Sequence, residues 1–217
     1  MASLLQHPSA ALLLVQLLGV VLYPLMETTA GGHAAFGAFG IVVLGISLRV
    51  VRRSPWLTWL AVLLALPIVA LSVLNVVAPD PRLLVVTAAL EAVFYFYATG
   101  SLIAYMFQDD VASTDEIFAV AATFTLLAWA FAYLYTVCQG LVPGSFAAAG
   151  DPAGTRTWME LLFLSFTTLS GVGLGDIMPV QPMSRALVML EELAGLMYIA
   201  LVVSRLVGLM TMARRNG

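Results

Sequence analysis

The chain has 217 residues, is 62% hydrophobic and only 10% charged, and has a mean hydropathy of +1.02. Soluble domains are about 45–50% apolar and roughly 25% charged, so the composition is that of an integral membrane protein. A net charge of -3 excludes the basic face of a nucleic-acid binder, and the lone Cys138 excludes an internal disulfide.

A membrane-spanning helix needs about 20 mostly apolar residues. Six stretches meet that length: 10–26, 33–50, 56–78, 83–107, 114–138 and 183–212. The first lacks a basic leading region and a small-residue cleavage site, so it reads as a span rather than a signal peptide. Gly31-Gly32, Ser54-Pro55 and Pro79-Asp80-Pro81 punctuate the breaks. Ser113-Thr114-Asp115-Glu116 fits a capping box ahead of the fifth span, with Ser113 and Glu116 satisfying free amides reciprocally. Residues 139–157 are rich in Gly, Pro and Ala and read as an exposed loop. A shorter apolar piece, 157–170, is too short to span and runs into glycines.

All nine basic residues are arginine. Arg49, Arg52, Arg53, Arg214 and Arg215 fall on one side of the spans, and Arg82, Arg156 and Arg185 on the other. The positive-inside rule therefore predicts a multi-pass protein with both termini cytoplasmic. The loop with Asp109, Asp110, Asp115 and Glu116 is then cytoplasmic as well, and the glycine stretch is approached from outside.

That stretch, residues 167–179, reads TTLSGVGLGDIMP. Irregular backbone at membrane depth is tolerated only where protein buries it or water lines it. A phosphate loop would call for a following helix N-terminus and usually a lysine, whereas Asp176 and Pro179 follow here. A plain turn needs one or two glycines, not three at alternate positions. There remains a strand whose carbonyls point to one side, which glycines permit by accepting positive φ.

In its order of short helix, Gly171-Val172-Gly173-Leu174-Gly175-Asp176, Pro179 and long helix, the chain from about 157 to 212 resembles the pore module of potassium channels. The family signature is a pore helix, Thr-Val-Gly-Tyr-Gly-Asp, and an inner helix. The matching pore-helix residues are Phe163 to Ser170, and the inner helix, with Leu190-Glu191-Glu192 and Ser204-Arg205-Leu206-Val207-Gly208, is similar to that of small bacterial members. The resemblance implies an all-α integral membrane fold of six transmembrane helices plus a re-entrant pore helix and selectivity filter. It divides the chain into a four-helix membrane domain, 1–110, and a pore domain, 111–217. It further implies a homotetramer in the bilayer of a bacterial cell membrane, conducting monovalent cations and needing no cofactor beyond the permeant potassium ions. Carbonyls of Gly171, Val172, Gly173, Leu174 and Gly175 would line the filter, supported by Thr167, Thr168, Ser170 and Asp176. Gly195 occupies the spacing of the family's gating-hinge glycine.

Three positions depart from the family pattern. Gly171 stands for the filter threonine, Leu174 for the tyrosine, and Leu164 for the tryptophan that many members place behind it. Restoring threonine at 171 is expected to sharpen discrimination against sodium, provided that the residue fits the backbone. The fourth span has Arg82 only at its edge and Glu91 inside it, so the arginine ladder of a voltage sensor is lacking.

Glu91 is an ionisable residue within a span, where function is the default reading, with a protonated or paired carboxyl between helices as the alternative. Glu191 and Glu192, about two turns into the inner helix, read either as bracing the filter from behind or tuning it with pH, or as packing against the neighbouring pore helix. Arg205 reads as a snorkelling residue. His7 and His33 have no second ligand nearby in sequence, and the aromatic run Phe94-Tyr95-Phe96-Tyr97 reads as inter-helix packing. Trp56, Trp59 and Trp158 suit an interface belt. Two other readings stay open: a non-selective cation channel and a non-conducting modulatory subunit. An enzyme or transporter has no paired His or Asp motif and no repeat between halves behind it.

Overall fold

A computed structural model of the chain describes residues 7–27, 32–51, 58–108, 114–151 and 154–215. The helices run in chain order: α1 (Pro8–Glu27), α2 (Gly32–Val51), α3 (Thr58–Val77), α4 (Pro81–Met106), α5 (Thr114–Leu141), the short α6 (Trp158–Leu169) and α7 (Pro182–Arg215). Two short strands, β1 (Phe146–Ala148) and β2 (Ile177–Pro179), pair antiparallel with Phe146 opposite Pro179. The ribbon corrects the expectation that 139–157 is wholly exposed. Phe146 is buried with its ring 5.1 Å from that of Tyr135, and that burial draws its segment into the fold.

Five helices hold apolar windows long enough to cross a bilayer among the described residues: Pro8–Leu25, Thr58–Val77, Pro81–Met106, Asp115–Leu141 and Pro182–Arg205. The span expected at 33–50 falls on α2, whose described apolar stretch is Ala38–Val50. Helix starts follow local chemistry. Asp80 caps α4 by accepting from the Arg82 amide at 2.8 Å, with Pro81 at the first helical position.

α5 is the hub. It packs on α1, α4, α6 and α7, and residues 126–133 are buried without interruption, including Trp129 and Phe131. The other spans leave large apolar side chains exposed, such as Val21, Leu66 and Val93, which suits a lipid surround. The aromatic run packs between α4 and α5, with Tyr95 stacked on Tyr133 at 5.6 Å and Phe96 edge-on to Phe131 at 5.1 Å. Trp158, expected at an interface belt, packs on this cluster: its indole lies 5.0 Å from Trp129 and 5.6 Å from the Tyr23 ring. Trp59 is exposed, as a belt residue would be, and Trp56 lies outside the described residues.

Candidate functional site

The site begins where α6 is fixed in place. Thr157 accepts from the Glu160 amide at 3.3 Å while the Glu160 carboxylate accepts from the Thr157 amide at 2.6 Å, a complete capping box. Arg156 is buried beside it and donates to Glu160 at 3.2 Å, to the Asp151 carboxylate at 3.1 Å and to the Asp151 carbonyl at 2.9 Å. Gln139 clamps the backbone of Arg156 through its amide group. The start of the short helix is thus tied to the end of α5 and to the loop before it. Of the box expected at the start of α5, Ser113 lies outside the described residues; the Glu116 carboxylate also accepts from Arg205 of α7.

Twelve residues later the helix ends in the glycine stretch. The Gly171 amide donates to the Thr168 carbonyl, and the Gly173 amide to the Thr167 carbonyl, each at 3.0 Å. Both glycines take positive φ, 72° and 65°, which lets the chain reverse and hang from the last helical turn. Thr167 and Thr168 are buried, and Ser170 donates to the Thr167 carbonyl at 3.3 Å. From Val172 to Gly175 the backbone has no regular structure. Val172 is 62% exposed and Leu174 60%, whereas Leu164 is buried. Asp176 is exposed, and β2 follows it, held by the Val180 amide to the Ser145 carbonyl at 2.9 Å.

α7 packs against this assembly along one stripe: Ser184, Val188, Glu191, Gly195 and Tyr198 are all buried. Their spacing alternates four and three, one helical face. Ser184 donates to the Ser145 carbonyl at 2.7 Å, and Tyr198 to the Val120 carbonyl at 2.5 Å. Glu191 is hydrogen-bonded to Tyr135 of α5 and to Ser165 of α6. Gly195 meets the end of α6 so closely that a Cβ there would lie 2.1 Å from the Leu169 carbonyl oxygen. Glu192 is exposed, at the flank of this stripe on α7. Glu91 stands apart, on α4, where Tyr133 hydrogen-bonds its carboxyl group.

At the far end of α7, Arg205 does not snorkel. It donates to Glu116 at 2.8 Å and lies over the Phe107 ring at 5.1 Å, with both charged side chains only about a tenth exposed. On the same turn of α5, the Asp115 carboxylate accepts from the Ser9 amide and hydroxyl at 3.2 and 2.9 Å, tying down the start of α1. Among the described residues no cluster of three metal-ligating side chains occurs.

Sequence reading gathered the glycine loop, Glu191 and Gly195, but missed Ser165, Tyr135 and the Arg156 clamp. The clamp had a signal in the Thr157-x-x-Glu160 spacing; the two hydroxyl partners had none.

Residues 120–212 match the model of a family described as "Ion channel". No curated protein and no solved structure matches the chain.

Proposed function

We infer that the chain is one subunit of a cation channel in which four copies surround a potassium-conducting pore. The observation behind this reading is the loop hung from α6: a helix too short to cross a membrane ends in a glycine-rich segment carried by the amides of Gly171 and Gly173. In a ring of four, carbonyls of Gly171, Val172, Gly173, Leu174 and Gly175 replace the hydration shell of a passing ion. The C-terminal end of α6 carries partial negative charge, which favours a cation nearby. Exposed Val172 and Leu174, with the apolar face of α7 through Met189, Leu193, Leu196 and Met197, supply surface for neighbouring copies to cover. The arginine distribution supports an orientation with both termini in the cytoplasm and the loop toward the outside.

Purified protein in liposomes should pass potassium and rubidium, and native mass spectrometry in mild detergent should show a tetramer. A monomer or dimer as the sole species would sink the four-copy pore.

A second reading, non-selective cation conduction, is favoured by Gly171. This residue has a carbonyl but no hydroxyl, so water must complete the innermost shell. A potassium-to-sodium permeability ratio near one would select it.

A further inference from the structure

Glu191 has no exposed surface, and residues of α5 and α6 meet around it. Its Oε2 accepts from the Tyr135 phenol on α5. Its Oε1 is hydrogen-bonded to the Ser165 hydroxyl on α6, and that same hydroxyl reaches the Ala128 carbonyl on α5 at 2.8 Å. Ser165 has one hydrogen for two oxygen neighbours, and a backbone carbonyl can only accept. If Ser165 gives its hydrogen to Ala128, the bond to Oε1 closes only when Glu191 supplies the hydrogen. Tyr135, Glu191 and Ser165 then each donate once, and every contact in the cluster is satisfied. An ionised carboxylate would instead be buried against two uncharged hydroxyls, which is the costly arrangement inside a membrane.

The position of this cluster connects it to the ion pathway. Ser165 lies one turn before Leu169 on α6, and Glu191 one turn before Gly195 on α7, so the two helices meet at two successive levels. The glycine loop hangs from the carbonyls of Thr167 and Thr168, between those levels. Any slide of α6 along α7 therefore carries the loop with it.

We propose that Glu191 is a positioning residue for the ion pathway: as a carboxylic acid bridging Tyr135 and Ser165, it fixes the height of α6, and so of the glycine loop, on α7. The role in selectivity rests on the channel reading above; the hydrogen on Glu191 does not.

The test uses the full chain reconstituted in liposomes, comparing wild type with Glu191→Gln, Glu191→Ala and Ser165→Ala. A glutamine amide can donate to Ser165 while its oxygen accepts from Tyr135, so Glu191→Gln should keep the potassium-to-sodium permeability ratio within about twofold of wild type. Loss of one buried hydrogen-bonded partner should lower it about tenfold in Glu191→Ala and Ser165→Ala alike. The double variant should be no worse than either single one. Should Glu191→Ala fail to fold, Ser165→Ala alone carries the comparison, and should wild type pass both ions alike, single-channel conductance replaces the ratio. Separately, the infrared difference spectrum between wild type and Glu191→Gln should contain the C=O stretch of a carboxylic acid. An unchanged ratio in Glu191→Ala or Ser165→Ala overturns the positioning role. A carboxylate band in the difference spectrum, or Glu191→Gln as damaging as Glu191→Ala, overturns the bridging acid. A chain that passes no ion sinks the channel reading and the positioning role with it, while the infrared band still decides the hydrogen.

Discussion

Gly195 of the long C-terminal helix abuts the Leu169 carbonyl, leaving no room for a Cβ between them. The contact is with backbone, which cannot swing aside as a side-chain end would. Gly195→Ala gains about 1 kcal/mol of helix propensity but forces an overpacking cost of about 1–3 kcal/mol. Because Leu169 precedes the glycine loop by two residues, the displacement falls on the proposed ion pathway. The variant should show a lower melting temperature in detergent and an altered ion permeability ratio. A change confined to open probability would support the hinge role that the resemblance suggests.

The Arg205–Glu116 pair joins the lower part of α7 to the start of α5. With both side chains about a tenth exposed, removing one partner leaves a poorly solvated charge, at about 3–5 kcal/mol. Arg205→Leu and Glu116→Ala should each destabilise the protein and change open probability, because α7 loses an ion pair to α5 at that end. A double-mutant cycle on thermal stability should give a coupling energy between the two positions well above the roughly 0.2–1 kcal/mol of an exposed pair. Additive single effects would mean that the pair contributes nothing of its own.

Much of this organisation was legible in the sequence because bilayer burial leaves long apolar runs, and because glycine at alternate positions has few uses at membrane depth. The loop, the short helix and the long helix after it follow from those two facts. The interior face of α7 was harder to read. Ser184, Val188, Glu191, Gly195 and Tyr198 share one face without sharing hydrophobicity, since Glu191 and Tyr198 carry polar groups bonded to other helices, Ser184 one bonded to the loop before β1, and Gly195 is defined by the atom it lacks. In a chain where lipid-facing positions are apolar too, a hydrophobic stripe no longer marks the inside. Arg205 was misread for a related reason. Its position near a helix end suits snorkelling, and only the three-dimensional approach of Glu116, 89 residues away, supplies the alternative.

Voltage should have little hold on this protein. α4 carries Arg82 at its first turn and no further arginine, while Glu91 is bonded to Tyr133. Moving one charge through the full field yields about 2.3 kcal/mol per 100 mV, and α4 has no ladder of charges to move. Open probability in planar bilayers should vary only weakly between negative and positive potentials. A steep activation curve, worth several charges, would point to a sensor elsewhere in the chain.

Gly171 reverses an expectation that its sequence position invites. Threonine at that place would add a hydroxyl to the innermost site of the proposed filter, and on that ground alone Gly171→Thr should improve discrimination against sodium. The backbone there has φ of 72°, and the Gly171 amide is committed to the Thr168 carbonyl. An L-residue in the left-handed region costs roughly 1–2 kcal/mol, and a β-branched one is the least suited to it. Space is not the obstacle, since a Cβ at 171 would meet nothing within 4 Å; the strain lies in the torsion itself. Gly171→Thr should therefore pull residue 171 toward negative φ, loosen its bond to Thr168 and lower both thermal stability and the potassium-to-sodium permeability ratio. Gly171→Ala carries strain in the same torsion without the hydroxyl and should shift the ratio in the same direction. D-alanine introduced at 171 by semisynthesis favours positive φ and should restore the wild-type ratio. Reversal potentials under bi-ionic conditions separate the two accounts. If threonine raises the ratio while L-alanine leaves it unchanged, the missing hydroxyl governs selectivity and the positive φ is dispensable.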